Sequence, residues 1–208
     1  MRIAVAQIRS LDTVEENAAN ILRFVDEARR LGVRILGFPE TALSGYLFDG
    51  FATVDAGKLD GALNEIAARL RGGRLEVVLG TPTREGGTLR NSAIVLFPDG
   101  SRRVYHKMNL VSYERAWFAP GDAPLTFEVE GTKFGVAICR DQNSPELVSG
   151  LARAGVRGLF LCSAHFYEPM EARMKLEKNV ALPVVRAYEN EIYVFKANAV
   201  GTNQGTVS

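Results

Sequence analysis

The sequence predicts an α/β protein of the mixed (α+β) kind, in which β-strands and helices are interleaved in one domain. Short β-branched runs alternate along the chain with segments whose apolar residues recur at helical spacing. Two tight turns between short apolar segments in the middle of the chain predict antiparallel hairpins. The 208 residues are 47% hydrophobic and 24% charged, which is enough apolar material for one core.

The N-terminal third predicts alternating strands and helices. Thr13 begins the first helix as its N-cap, with Glu16 three residues later in the pattern of a capping box, and Gly32 ends that helix. An almost uninterrupted apolar run then predicts a buried strand. The predicted order is strand 3–8, helix 14–31, strand 33–38, helix 58–71 and strand 75–79.

The rest of the chain predicts two hairpins and then helices between parallel strands. The hairpins turn at Asp99-Gly100 and at Glu130-Gly131. Pro183 lies inside a long helical segment and lacks a backbone N–H, so we expect a break or kink there and a second short helix that begins at Pro183. The predicted elements are strands 92–97, 102–105, 125–129 and 133–138, helix 145–154, strand 158–162, helix 168–189 and strand 192–197.

Composition excludes several classes of protein. The 25 basic and 24 acidic residues leave a formal charge of +1, so we expect neither nucleic acid nor an anionic membrane as partner. No apolar run reaches the roughly 18 residues of a membrane span, and we expect no secretory leader before the first strand. Two cysteines are too few for a disulfide framework and fit a reducing, cytoplasmic compartment. The sequence of residues 201–208 is not typical of the C-terminal end of a domain.

A first candidate functional residue is Glu40, in the segment 38–46. The predicted buried strand delivers this carboxylate at its carboxyl end, where α/β folds place their ligand crevices. The alternative is a loop carboxylate, or a neighbour of a helix N-cap, with no role in chemistry.

A second candidate is Lys107, in the segment 105–114. It ends a predicted hairpin strand, Glu114 follows seven residues later, and the aromatic residues Tyr113, Trp117 and Phe118 lie nearby. The alternative is a solvated cation at the end of a strand.

A third candidate is Cys139, at the last residue of an apolar predicted strand and directly before a polar segment. A thiol at that position points into a crevice, and the backbone N–H groups that follow are free to bind a developing oxyanion. The alternative is a small core residue, an interpretation that Cys162 fits well.

Other chemistries lack their sequence patterns. We find no Cys-x-x-Cys, no His-x-x-x-His and no dense carboxylate cluster, so we expect no metal site. No Gly-x-Gly-x-x-Gly or Walker A pattern provides a nucleotide cradle, so we expect no cofactor. The Gly-x-Ser-x-Gly pattern of serine α/β-hydrolases is missing as well.

Taken together, the three segments resemble the nitrilase superfamily of carbon–nitrogen hydrolases. The resemblance rests on Phe-Pro-Glu-x-x-Leu-x-Gly-Tyr at 38–46, on Tyr-x-Lys-x-x-Leu at 105–110 with Pro-Gly-Asp at 120–122, and on Gly-Val-x-Ile-Cys-x-Asp at 135–141 with Pro-Glu at 145–146. These motifs occur in the order of the family. With Gln7 in the opening strand and Ala187-x-Glu189-Asn190 before the last strand, the resemblance runs from Met1 to about Gly201, nearly the whole chain.

The resemblance implies an architecture and an assembly. The fold would be a four-layer α-β-β-α sandwich of two mixed β-sheets flanked by helices, and the chain a single domain, 1–208. Members of the family continue through further strands, so we expect this domain to lack C-terminal strands. The resemblance also implies a homodimer or a higher homo-oligomer.

The resemblance implies roles for the site residues as well. Cys139 would be the nucleophile, Glu40 the general base and Lys107 the cation that stabilises the tetrahedral intermediate together with the backbone N–H of Arg140. Glu114 matches a second glutamate that often follows the lysine in this family. No metal and no cofactor would take part.

The expected activity is that of a cofactor-independent thiol amidohydrolase. It would cleave a non-peptide C–N bond of a small amide or carbamoyl compound through a cysteine thioester and release ammonia or an amine. A compact, partly apolar pocket is predicted by the aromatic residues near the three segments, which are Tyr46, Phe48, Tyr113, Trp117 and Phe166. The expected substrate-binding residues are Tyr46, Tyr113, Arg140, His165 and Phe166. The alternatives are a glutaminase-like ammonia-supplying domain, nitrile hydrolysis, and a non-catalytic binding module that retains the fold.

Overall fold

Two β-sheets face each other in the computed structural model, and helices cover their outer faces. The structure describes residues 1–47, 50–203 and 205–208. Its elements are β1 (Ile3–Val5), β2 (Ile8–Arg9), α1 (Val14–Arg30), β3 (Ile35–Gly37), α2 (Ala56–Leu70), β4 (Glu76–Glu85), β5 (Thr88–Leu96), β6 (Arg102–His106), β7 (Leu125–Val129), β8 (Thr132–Ile138), α3 (Pro145–Arg153), β9 (Gly158–Ser163), α4 (Pro169–Asn190), β10 (Tyr193–Val200), β11 (Thr202–Asn203) and β12 (Thr206–Val207). Short 3-10 helices cover Phe51–Thr53, Tyr113–Ala116 and Cys139–Asn143.

Both large sheets are mixed, as the sequence predicts. The first has the order β1-β3-β4-β5-β6, in which β1, β3 and β4 are parallel and the other two strands follow as antiparallel hairpins. The second has the order β2-β10-β9-β8-β7, in which only β7 runs antiparallel to its neighbour. The predicted α/β class and the sandwich of two mixed sheets are confirmed.

The core between the sheets is built from side chains that point inward from both. Val78 and Val95 of the first sheet and Phe134 and Phe160 of the second are all buried there. At Gly37 the sheets approach so closely that a Cβ would lie 2.8 Å from a ring carbon of Phe160. This dry core fixes the two sheets relative to each other, and with them the strand ends that carry the candidate residues.

The outer helices differ in how they pack. Along α1 and α2, buried side chains such as Ile21, Val25 and Ile66 form an apolar stripe against the first sheet. By contrast, the only buried residues of α4 are Asn179 and Arg186. Among the described residues, no helix is long and apolar enough to cross a membrane.

The prediction of one strand over 3–8 is wrong, because the chain changes sheets in the middle of that segment. β1 pairs with β3 in the first sheet, whereas β2 pairs with β10 in the second. Gln7 lies at the crossing. Its side chain donates to the carbonyl of Lys196 at 3.0 Å and accepts from the N–H of Asn198 at 2.8 Å, which bridges the gap to β10.

The predicted break at Pro183 is also wrong, because α4 is continuous through it. A proline in a helix leaves the carbonyl four residues earlier without its usual N–H donor, and here that carbonyl belongs to Asn179. The Lys196 ammonium donates to this carbonyl at 2.8 Å. A side chain from β10 therefore satisfies the acceptor that the proline leaves unpaired.

Several other boundaries differ from the prediction. β8 ends at Ile138, so Cys139 is the first residue after the strand and not its last. The last long strand continues past residue 197 to Val200, and β11 and β12 follow it. A third hairpin joins β4 to β5 through Gly86-Gly87, whose φ angles of +53° and +85° favour glycine.

Candidate active site

Glu40, Lys107 and Cys139 are carried to one end of the sandwich by three different strands. Glu40 follows β3, Lys107 directly follows β6, and Cys139 directly follows β8. The first two strands belong to one sheet and the third to the other. The site therefore depends on how the two sheets are packed together.

The Glu40 carboxylate is buried, with 1% of the residue exposed, and is held on both oxygens. Its Oε1 accepts from Lys107 Nζ at 2.7 Å and from Asn91 Nδ2 at 2.8 Å. Its Oε2 accepts from the backbone N–H of Ala164 at 3.1 Å. Burial raises the pKa of Glu40 well above its ordinary value, and the negative charge of a Cys139 thiolate raises it further.

Lys107 lies between two carboxylates. Its Nζ donates to Glu114 Oε1 at 2.7 Å in addition to Glu40, and Glu114 Oε2 accepts from the backbone N–H of Val111 at 2.9 Å. Burial alone would lower the pKa of Lys107, but the charges of Glu40, Cys139 and Glu114 outweigh it and hold the pKa above its ordinary value. The ammonium is therefore protonated, and two of its three N–H donors are committed.

Cys139 adopts a left-handed backbone conformation, with φ +45°. This conformation is uncommon for a residue with a Cβ and is typical of positions that the surrounding structure holds for function. The side chain is partly exposed and lines a cavity of about 510 Å³. In the described part of the chain, Cys139 Sγ has no hydrogen bond to Glu40 or Lys107, but its charge acts on the pKa of both groups.

Asp141 received no role in the sequence analysis, yet its buried carboxylate fixes the Cys139 turn. Oδ1 accepts from the backbone N–H of Asn109 at 2.8 Å and from its Nδ2 at 3.0 Å. Oδ2 accepts from the Tyr105 hydroxyl at 2.7 Å and from the backbone N–H of Ile138 at 2.9 Å. Because Tyr105 lies on β6 and Ile138 on β8, this one carboxylate joins the strands that carry Lys107 and Cys139.

Asn91 is a second residue that the sequence analysis missed. Its Nδ2 donates to both Glu40 and Glu114, to the latter at 3.1 Å, while its buried Oδ1 has no hydrogen-bond partner among the described residues. The pairing register of the predicted β5–β6 hairpin could have identified Asn91. β5 and β6 pair Ser92 with His106, and continuing this register brings Asn91 opposite Lys107, whose N–H donates to the Asn91 carbonyl at 2.8 Å.

Gly80 lets the backbone that carries Glu40 approach β4. A Cβ at this position would lie 2.2 Å from the Pro39 carbonyl oxygen and 2.7 Å from Glu40 Cα. Thr41, directly after Glu40, adopts a left-handed conformation with φ +48°. The turn at Glu40 is therefore tight and closely packed.

Four of the five predicted substrate-binding residues line the cavity beside Cys139: Tyr113, Arg140, His165 and Phe166. The fifth, Tyr46, is buried and does not belong to the cavity wall; its hydroxyl is hydrogen-bonded to that of Tyr113. Phe48 lies outside the described residues.

The histidine and metal chemistry of the site is limited. Burial, together with the nearby charge of Lys196, lowers the pKa of His165 to about 3, so the imidazole is neutral and accepts from Gln142 Nε2 at 3.3 Å. In the part of the chain that the structure describes, no group of three or more His, Cys, Asp or Glu residues could hold a metal ion. The geometry instead provides a thiol, a buried carboxylate of raised pKa and a buried ammonium.

Comparison with known proteins agrees with this chemistry. The model of the carbon–nitrogen hydrolase family matches residues 2–208. A nitrilase of Pyrococcus abyssi is 29% identical over 199 residues, which cover 92% of this chain and 71% of the nitrilase. An (R)-stereoselective amidase of Pseudomonas sp. is 28% identical over 206 residues, which cover 97% of this chain and 72% of the amidase.

Among solved structures, an amidase of Nesterenkonia sp. AN1 is similar over 100% of this chain and 81% of its own, with a TM-score of 0.88 and 26% identity. Variants of that amidase have been solved in complex with butyramide and with acrylamide added at the active-site cysteine. That enzyme is thus an amidase with a cysteine in its active site.

Proposed function

This chain belongs to the carbon–nitrogen hydrolase family, the nitrilase superfamily, and on that premise we propose a cofactor-independent thiol amidohydrolase that cleaves the C–N bond of a small linear amide. The observation that carries the proposal is the buried ammonium of Lys107 between Glu40 and Glu114, behind the strained turn at Cys139. A binding module has no need for a buried ion cluster of this kind, since taking charges out of water is costly.

In the first half of the reaction, Glu40 accepts the proton of the Cys139 thiol as the sulfur attacks the amide carbonyl. The new C–S bond pushes the carbonyl π electrons onto oxygen and gives a tetrahedral oxyanion. When this intermediate collapses, the C–N bond breaks and Glu40 returns the proton to the leaving nitrogen, which departs as ammonia or an amine. The raised pKa of Glu40 suits this double role of base and acid.

In the second half, a water molecule replaces the leaving group. Glu40, again a carboxylate, takes a proton from this water as its oxygen attacks the thioester carbonyl. The C–S bond then breaks, and Glu40 returns this proton to the Cys139 sulfur. The carboxylic acid leaves, and both the Cys139 thiol and the Glu40 carboxylate are restored. One carboxylate therefore serves both halves, and neither histidine is required.

Lys107 stabilises the oxyanion in both halves. Two of its N–H donors are committed to Glu40 and Glu114, which leaves a third for the developing charge. The backbone N–H of Arg140, directly after the nucleophile, is the expected second donor. Glu114 acts as a positioning residue, since it orients Lys107 and is itself held by the N–H of Val111.

The proposal is tested by ammonia release from butyramide, from glutamine and from butyronitrile. We expect the wild-type chain to release ammonia from an amide and Glu40→Gln to lose that activity. The matched control is Glu128→Gln, since Glu128 is exposed on β7 and far from the site in the fold. Activity on glutamine alone would favour the ammonia-supplying alternative, and activity on butyronitrile alone would favour the nitrilase one.

A second test separates an enzyme from a binding module. We expect iodoacetamide to modify Cys139 near neutral pH much faster than Cys162, as read by peptide mass mapping of a single sample. Equal rates at the two cysteines, together with no ammonia from any substrate, would favour the non-catalytic binding module.

A cytoplasmic location stays a prediction from the two free cysteines.

We also propose a homo-oligomer that forms through α4. This helix exposes a stripe of large apolar side chains at helical spacing: Met170, Met174, Leu176, Val180, Val184, Val185 and Tyr188. A stripe of this size on one helix is typical of an interface, and a second copy of the same helix can cover it across a two-fold axis. We expect sedimentation to give a dimer or larger species for the wild type and a smaller species for Val184→Lys.

A further inference from the structure

Two cations on the wall of the Cys139 cavity have no ionic partner in the part of the chain that the structure describes. Arg140 and Lys178 both line this cavity with Cys139, and both are exposed to solvent. Among the described residues, neither side chain takes part in an ion pair, whereas Lys175 and Arg186 of α4 are paired with Glu171 and Glu189. The two charges come from different elements, since Arg140 follows β8 and Lys178 lies on α4.

The other charged groups of the cavity leave this positive charge in excess. Lys175 is paired with Glu171 and lies 4.7 Å from the centre of the Tyr167 ring. His165 is neutral because its pKa is about 3. Glu168, at the beginning of α4, is the remaining acidic group of the wall. Two unpaired cations therefore face one unpaired carboxylate.

The protonation behaviour of Lys178 is consistent with uncompensated charge. Partial burial lowers the pKa of Lys178 below its ordinary value, and the nearby positive charges of Lys175 and Arg140 lower it further. The negative charges of a Cys139 thiolate and of Glu171 act in the opposite direction. Lys178 is thus within electrostatic reach of both the nucleophile and the second cation.

We propose that Arg140 and Lys178 form a carboxylate subsite, and that the substrate is a short amide with a carboxylate at the end opposite to the amide. The inference rests on the proposed function, because it places the amide at Cys139. Arg140 is the next residue after Cys139, so only a few carbon atoms separate the reacting carbonyl from the subsite. The guanidinium offers paired N–H donors to a carboxylate, and the ammonium adds a point charge.

The first test compares three amides of equal chain length that differ only in their far end. Succinamate ends in a carboxylate, butyramide in a methyl group and 3-aminopropanamide in an ammonium. We expect kcat/KM to be highest for succinamate and lowest for 3-aminopropanamide. Raising the ionic strength should lower kcat/KM for succinamate and bring it towards that of butyramide, because exposed charges are screened by salt.

The variants Arg140→Gln and Lys178→Gln locate the effect. Each should lower the ratio of kcat/KM for succinamate to that for butyramide by about three- to fivefold, as expected for a pair of exposed charges. The control is Arg173→Gln, an exposed cation on α4 that is not part of the cavity wall, and it should leave the ratio unchanged. A role of the two cations in thiolate stabilisation would instead lower both values together.

A second test needs no turnover. Iodoacetate and iodoacetamide alkylate the same sulfur, but only iodoacetate is an anion. We expect the rate ratio of iodoacetate to iodoacetamide at Cys139 to exceed that of a free thiol, and to fall in Arg140→Gln and Lys178→Gln but not in Arg173→Gln.

The two proposals fail in distinguishable ways. Hydrolysis of butyramide with no preference for succinamate, together with an alkylation ratio equal to that of a free thiol, overturns the subsite and leaves the amidohydrolase intact. Loss of all ammonia release together with a raised alkylation ratio overturns the amidohydrolase and leaves an anion-binding cavity. A preference for 3-aminopropanamide would assign the recognition to Glu168 and also overturn the subsite.

Discussion

The ends of β8 and β9 form an instructive comparison, because these neighbouring parallel strands each carry a cysteine at their carboxyl end, on the same side of the second sheet. Ile138 pairs in register with Cys162, so Cys139 lies one residue further along. Cys162 is still inside its strand, is 1% exposed, and burial raises the pKa of its thiol far above the ordinary value. Cys139 lies beyond its strand, in a left-handed turn at the cavity wall.

An offset of one residue therefore separates a core thiol from a candidate nucleophile. The difference does not come from the residues that lead into the two cysteines, which are apolar and buried in both strands. It comes from the turn after β8, which the Asp141 carboxylate holds through four hydrogen bonds. The comparison teaches that two features decide which cysteine can react. One is the residue at which its strand ends, and the other is the Asp141 carboxylate, here called the clamp, which fixes the turn after β8.

The largest effect is expected from exchanging the two thiols separately for alanine. Cys139→Ala should lower amide hydrolysis by about 10⁴-fold or more, as removal of a nucleophile does in other covalent enzymes. Cys162→Ala should leave kcat within the same order of magnitude and lower the free energy of unfolding by about 1–2 kcal/mol, since it opens a small cavity in the core. Ammonia release and urea unfolding measure the two quantities. The reverse pattern would identify Cys162 as the nucleophile.

The next effect concerns the clamp. Asp141→Asn replaces one carboxylate oxygen with an NH₂ group that faces donors, so we expect unfolding to become easier by about 2 kcal/mol. The displaced turn should lower kcat by about 100-fold, because misplacement by about 1 Å has effects of this size. Alkylation of Cys139 should slow while that of Cys162 stays the same.

The matched control for this change is Asp99→Asn in the exposed hairpin turn, where the side chain accepts from Ser101 at 2.8 Å. Asn-Gly is as good a turn as Asp-Gly, so stability and kcat should both be retained. An Asp141→Asn variant with wild-type kcat and wild-type alkylation at Cys139 would remove the clamp from the explanation of the difference between the two strand ends.

A third prediction uses pH. Glu40 acts as a base only when it is ionised, and burial raises its pKa above the ordinary 4.5, so kcat/KM should fall as pH decreases through this raised pKa. The fall should approach about tenfold per pH unit below it. The acid limb should therefore lie at a higher pH than that of an ordinary carboxylate. A flat profile from pH 4.5 to 7 would contradict the role of Glu40.

A change at Asn91 should shift the acid limb of the pH profile of kcat/KM. Its Nδ2 donates to the ionised form of Glu40, and a donor to a carboxylate lowers the pKa of the carboxylate. Asn91→Leu should therefore shift the acid limb to still higher pH, whereas a purely structural loss would lower kcat at all pH values alike. The pH profile separates the two interpretations.

The sequence was sufficient for the parts of the molecule that are fixed by local chemistry. The Asp99-Gly100 and Glu130-Gly131 turns predicted two hairpins that the structure contains. Strand-end positions singled out Glu40 and Lys107, and the structure brings these two side chains into contact at 2.7 Å. Their catalytic roles, and that of Cys139, stay predictions.

Features fixed by distant residues were not predictable in the same way. The change of sheet at Gln7 depends on hydrogen bonds to β10, nearly 190 positions along the chain. Asp141 depends on Tyr105 and Asn109, which belong to a different sheet and a loop. Neither propensity nor periodicity contains this information, because both describe only near neighbours in sequence.

The smallest expected effect lies in α4, which forms part of the wall of the Cys139 cavity, and it also arises from a distant residue. Lys196 donates to the Asn179 carbonyl that Pro183 leaves without an N–H, so Lys196→Met should lower the free energy of unfolding by about 1 kcal/mol. In a Pro183→Ala background the helix supplies its own N–H, and the same change should then be close to neutral. A double-mutant cycle in urea measures this coupling. Additive effects would show that α4 continues through Pro183 without stabilisation by Lys196 of β10. The part of the cavity wall that α4 forms would then not depend on β10.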